Sequence, residues 1–166
     1  MRGTWWRLTP ANADPLHLPE EPPDGRWQRG ATVAGLYLAD SAETAWAEWY
    51  RYLAELQLAP LAGMPRELWR FQIDLHRVAD LLQLEALQTL GIAAPVPERG
   101  QWREHQVVGE ALHVAGWPAL LAPSAARPTG AVLCVFRSQR EVEGAEPVAG
   151  PELISEPPAP PRGMQT

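Results

Sequence analysis

Two hydrophobic periods alternate along this chain, and each change of period marks an element. Residues 4–9, "TWWRLT", read as a short aromatic strand. Residues 10–25, "PANADPLHLPEEPPDG", must be loop, because proline cannot donate to a ladder and restricts the residue before it. "ATVAGLYLA" (31–39) is small and apolar on both faces, like a strand buried from two sides, and Gly35 predicts a close approach there. In "DSAETAWAEWYRYLAEL" (40–56) Trp46, Trp49, Leu53 and Leu56 fall at i, i+3, i+7 and i+10, one stripe of a helix. Asp40 with Glu43 predicts a capping box at its start.

The period then returns to two. "LWRFQIDL" (68–75) sets Trp69, Phe71, Ile73 and Leu75 against Arg70, Gln72 and Asp74, as in a half-buried strand. Helices are predicted around 83–90, stopping at Gly91, and over 103–115, stopping at Gly116. Strands follow at 118–123 and 130–137, with a last edge strand at 152–155. There is no internal repeat and no strict strand–helix alternation. The expected fold class is α/β in the mixed α+β sense, a small mixed sheet flanked by helices.

Composition narrows the function. The 166 residues suit one domain, expected over 1–156, with a proline-rich tail over 157–166 that has too little apolar area to order itself. All fourteen basic residues are arginine, which excludes a Schiff-base or P-loop lysine within the chain. A formal charge of −6 argues against coating a polyanion, so no nucleic acid is expected as a direct ligand. Cys134, in "AVLCVF", reads as a small core hydrophobe. No apolar run reaches a membrane span and "MRGTWWRLTP" lacks the apolar segment of a secretory signal, so the cytoplasm is the expected compartment.

Several site types drop out. His17, His76, His105 and His113 have no metal-ligand spacing and read as surface or hydrogen-bonded core residues; no metal is expected. Ser124 lies in "LAPSAA", outside any G-x-S-x-G elbow, and "GRWQRG" is no phosphate cradle of the usual kind. What remains is Arg26, Tyr37 and Glu48, at equal intervals of eleven. Spacing alone makes them an arginine after a turn, a tyrosine in a strand and a glutamate on a helix. On the helical wheel Glu48 lies about 160° from the tryptophan stripe, which by periodicity is a solvated position.

Taken together, "WWRLTP", "GRW…G", "LYLADS…AWAE", "VADLLQLEALQTLGI", "HQVVGEAL" and "LLAPSAA" resemble the RES domain family over most of residues 4–137. That family is named for a shared arginine, glutamate and serine. The resemblance implies a fold similar to ADP-ribosylating toxins and the role of toxin in a bacterial toxin–antitoxin pair. It implies destruction of NAD by phosphorolysis or hydrolysis, so that NAD is a substrate and inorganic phosphate or water the acceptor. It assigns Arg26, Tyr37, Glu48 and Ser124 as the functional set, with Arg7 as an addition. Gln28 and Gly130 stand where the family more often has asparagine.

The implied chemistry suits these side chains. Cleavage between nicotinamide and ribose spreads positive charge over the sugar, which a carboxylate, Glu48, would stabilise. Tyr37 would stack on nicotinamide, and Arg26 would match the pyrophosphate with parallel hydrogen bonds. Ser124 would hold the ribose, a phosphate or Glu48 itself. The competing expectations are mono-ADP-ribosylation of a protein and a non-catalytic interaction module on the same fold. The implied partner is an antitoxin with a helix-turn-helix DNA-binding part; Trp102 and Trp117 are candidates for its interface or for core filling.

Overall fold

The segments expected as strands all become strands, and they join into one sheet. In the computed structural model, which describes residues 1–148 and 150–166, the chain begins with β1 (Arg2–Pro10), β2 (Ala34–Ala39), α1 (Ala42–Glu55) and β3 (Arg66–Asp74). It continues through β4 (Ala79–Asp80), α2 (Leu84–Thr89), α3 (Trp102–Val114), β5 (Ala119–Pro123), β6 (Ala131–Arg137), β7 (Ala145–Pro147) and β8 (Glu152–Ile154). The strand order is β4–β5–β6–β2–β1–β3–β7, and β8 shares the outer edge of β3 with β7. All pairs are antiparallel except β4–β5. This is the mixed sheet with flanking helices expected from the sequence. Strands β4 and β7, of two and three residues, were not among the expected elements.

The sheet is split near its middle. β1 pairs with β3 along its whole length, from Arg2 opposite Asp74 to Pro10 opposite Arg66, but meets β2 only at Trp6 opposite Ala39. Trp5, Phe71 and Ile73 from one half share a buried cluster with Leu36, Leu38, Leu133 and Val135 from the other. One face of both halves thus contributes to a single core. Behind the β2–β6–β5 half, Cys134, Phe136, Leu120 and Ala122 alternate to the opposite face, where Leu87 of α2 and Val108 and Leu112 of α3 cover them.

Helix α1 bridges the split. Trp46, Trp49, Tyr50 and Leu53 form a buried aromatic cluster against Leu8, Met64 and Ile154. Two expectations are corrected. The N-cap is Ser41, not Asp40: its hydroxyl accepts from Thr44 N at 3.1 Å, while Asp40 accepts from the Ser41 hydroxyl. Leu56 is the C-cap residue and 43% exposed, so the apolar stripe ends one turn earlier than its period predicts.

The tail over 157–166, expected to lack order, carries no helix or strand and lies back against α1. The Tyr50 hydroxyl donates to Pro158 O, and Met164 packs on the aromatic cluster. Among the described residues no helix is long and apolar enough to cross a membrane.

Candidate active site

Opening β1 from β2 leaves a groove of about 1050 Å³ between the strands, the loop before β2 and helix α1. That is ample for a ligand larger than a single ring. Arg7 of β1, Arg26 of the loop, Tyr37 of β2 and Glu48 of α1 all line it. Ser124 does not. It is fully buried behind the wall, where it touches Glu48.

Glu48 is fixed by three donors. Its Oε1 accepts from Ser124 Oγ at 2.7 Å and from Ala126 N at 3.3 Å, and its Oε2 from Arg51 Nε at 3.0 Å. Hydrogen bonds to a carboxylate are of the stronger kind, so one orientation is imposed. The side chain is 26% exposed, not the solvated position that periodicity predicts. The reason is tertiary: the turn after β5 comes against that face of α1. Arg127 N donates to Ser124 Oγ at 3.0 Å and Ser124 N to Gly130 O at 2.9 Å, closing the turn. A Cβ on Gly130 would stand 2.2 Å from Thr44 Oγ1, so only glycine lets the turn approach so closely.

Tyr37 is held at both ends. Its hydroxyl donates to Gln28 Oε1 and accepts from Trp27 N at 3.0 Å, while its carbonyl accepts from Arg7 Nη1 at 3.1 Å. Arg7 thus satisfies a strand carbonyl that the split leaves without a β1 partner. Burial pushes the Tyr37 phenol well above its ordinary range. A Cβ on Gly25 would lie 2.4 Å from the Tyr37 hydroxyl, and one on Gly35 2.9 Å from Cε2. The close approach predicted at Gly35 is this ring, with Gln28 beside it.

The cationic side of the groove is under-neutralised. Arg26 is 8% exposed; Nη2 donates to Val96 O, and the buried Nη1 has no partner among the described residues. Burial first, and then the Arg51 charge, lower its pKa to about 10, while Glu48 pulls in the other direction. Burial and the charge of Arg137 likewise lower Arg7 to about 10, and its Nε has no partner among the described residues. Both remain cations at neutral pH. Desolvated guanidinium groups facing a groove, without a paired carboxylate on each, are what an anionic ligand would satisfy.

Sequence reasoning missed Arg51 and the segment over 96–102. Arg51 binds Glu48 and Glu55 at 3.0 Å each, at i,i+3 and i,i+4 spacings, and that charge pattern was readable in the chain. The segment was not readable. Val96 O meets Arg26, Arg99 pairs with Glu55, and the Trp102 ring lies 5.8 Å from the Arg26 guanidinium and 4.6 Å from that of Arg99. His105 is a core residue, with Nε2 3.0 Å from Ala93 O and its ring against Trp27. Trp117 is half-buried against the core behind β6.

The groove therefore has an oriented carboxylate, a clamped aromatic ring and two desolvated guanidinium groups on shared walls. Such a set can bind a ligand that carries both anionic groups and a centre that becomes cationic in reaction.

A family model described as the RES domain matches residues 4–156. The crystal structure of the M. tuberculosis MbcT–MbcA toxin–antitoxin complex contains a chain of similar fold. It has a TM-score of 0.76 and 24% identity, with 93% of this chain and 85% of that chain covered. No curated protein sequence matches.

Proposed function

The chain belongs to the RES domain family, and we propose that it is an NAD-consuming enzyme, cleaving the nicotinamide–ribose bond as the toxin of a toxin–antitoxin pair. One observation carries this reading: Glu48 and Arg26 line the same groove, the first held by three donors and the second with a buried donor that has no partner among the described residues. The toxin role rests on the family and on the similarity to a chain of a toxin–antitoxin complex.

The chemistry follows from charge. As the C1′–N bond breaks, its electron pair leaves with nicotinamide and the ribose ring becomes oxocarbenium-like. Glu48, already oriented, stabilises that charge without reorganising. The Tyr37 ring, fixed by Gln28 and Trp27, offers a face to the nicotinamide. Arg26 would supply the cation for the pyrophosphate, with Arg7 as a second along the groove. Ser124 and Arg51 act through Glu48 as positioning residues. An unprotonated oxygen of phosphate then bonds to C1′, yielding ADP-ribose 1″-phosphate, or a water does so and releases one proton to solvent, yielding ADP-ribose. The partner would be an antitoxin that covers the groove.

Purified protein incubated with NAD tests the reading. Nicotinamide release is expected, with ADP-ribose 1″-phosphate as co-product in phosphate buffer, or ADP-ribose where water is the acceptor. Radiolabel from NAD appearing on protein instead would favour ADP-ribosyl transfer. A folded chain releasing no nicotinamide with phosphate, water or protein acceptor refutes all three.

A further inference from the structure

The family match ends at residue 156, yet the chain beyond it returns to the wall that holds Glu48. Pro161 O accepts from Met164 N at 3.3 Å across a turn whose third residue, Gly163, has φ +73°. That is the position a type II turn reserves for glycine. The turn sends Met164 onto the Trp46–Trp49–Tyr50–Leu53 cluster and brings Gln165 N to 2.7 Å from Ala126 O.

This last bond is the informative one. The peptide group joining Ala126 and Arg127 accepts from Gln165 at its carbonyl and donates from its N–H to Ser124 Oγ at 3.0 Å. Ser124 Oγ in turn donates to Glu48 Oε1 at 2.7 Å. The result is one unbroken relay: Gln165 N–H, the Ala126–Arg127 peptide, the Ser124 hydroxyl, the Glu48 carboxylate. Linked hydrogen bonds polarise one another, each strengthening the next. Ser124 and Ala126 are fully buried, so water cannot replace a missing member without opening the turn. The same helix that carries Glu48 also carries the aromatic cluster on which Met164 sits. The tail therefore braces both sides of the contact between Glu48 and its donors.

We propose that residues 157–166 are a positioning element for Glu48, acting through the Ala126–Arg127 peptide. The inference rests on the reading of Glu48 as the working carboxylate, and extends the site beyond the family-matched span. No residue of the tail lines the groove. Its effect falls on kcat, because it sets the carboxylate's aim and not the affinity of the groove.

Point substitutions in the full chain test this. Gln165→Pro removes the N–H donor, since proline has none, whereas Gln165→Ala keeps it. Met164→Asp places a charge on the aromatic cluster, whereas Met164→Leu preserves apolar packing. Misaiming a reacting group costs up to about a hundredfold, so a kcat loss of about tenfold or more is expected for Gln165→Pro and Met164→Asp, with KM within about twofold. Gln165→Ala and Met164→Leu should match the wild type. Amide hydrogen exchange should rise in the turn over 124–130 and stay unchanged in β5 and β6, reporting a local opening. Unchanged exchange in the turn, or a rise spread evenly over the sheet, would overturn the positioning role. Should the wild type cleave no NAD, the functional reading fails by itself, while the exchange measurement still decides whether the tail controls the turn.

Discussion

Ser124 Oγ donates to Glu48 Oε1 at 2.7 Å across 76 positions of sequence, and Ser124 itself is fully buried behind the groove. Its position suits a brace for the carboxylate, one of the roles expected of it.

Ser124→Ala should therefore lower kcat for NAD cleavage by about tenfold to a hundredfold while leaving KM within about twofold. Loss of a buried bond to a carboxylate costs about 1–3 kcal/mol, so Tm should drop by several degrees. A thermal melt alongside steady-state kinetics checks both. A KM rise with unchanged kcat would instead mean that the serine binds substrate.

Arg51 supplies the other oxygen's donor and links Glu48 to Glu55. Arg51→Met keeps the aliphatic stem but removes the fork, and should cost about tenfold or more in kcat. Arg51→Lys should rescue little, because one ammonium cannot reproduce a guanidinium spanning two carboxylates. Equal rates for wild type and Arg51→Met would remove Arg51 from the site.

Gly109→Ala gives a sign that propensity alone gets wrong. Alanine in a helix interior should gain about 1 kcal/mol over glycine. Here its Cβ would stand 1.8 Å from Trp27 O, pushing α3 away from the loop that carries Arg26. The expected result is a net loss of about 1–3 kcal/mol in denaturant unfolding, with a raised KM for NAD. A more stable variant would show that the loop yields freely.

Burial raises the Cys134 thiol to about 12, and the residue has no exposed surface. A thiol kept neutral in the folded state adds stability that is whole below the free thiol's pKa of about 8.5 and fades as pH climbs toward 12. At pH 8 a disulfide reagent should label the native chain only as fast as it unfolds, and label it at once in denaturant. Rapid stoichiometric labelling of folded protein would contradict the packing behind β2.

The sheet was legible where a strand alternates, as at Leu68–Leu75, or where an apolar run is unbroken, as at Ala131–Phe136. The two- and three-residue strands β4 and β7 were not, since their pairing comes from neighbours and not from pattern. The helix pattern located α1 but misjudged Glu48, because a wheel knows only the helix, and the Ser124–Gly130 turn that buries this face lies far along the chain. The sequence pointed to Arg26, Tyr37, Glu48 and Ser124 through their resemblance to a family; spacing alone read the first three as ordinary. Arg51 was open to view in the Glu48–Arg51–Glu55 charge pattern. The carbonyls of Val96 and Pro97, which meet Arg26 and Arg51, had no side-chain pattern to announce them.

Single-turnover cleavage by Glu48→Gln, with NAD binding measured on the same sample, tests the assignment of the carboxylate most directly. Glutamine keeps the shape and removes the charge that would face the ribose. The expected outcome is NAD affinity within a few-fold of wild type and nicotinamide release slowed by about a thousandfold or more. Release at the wild-type rate would contradict the account at its centre.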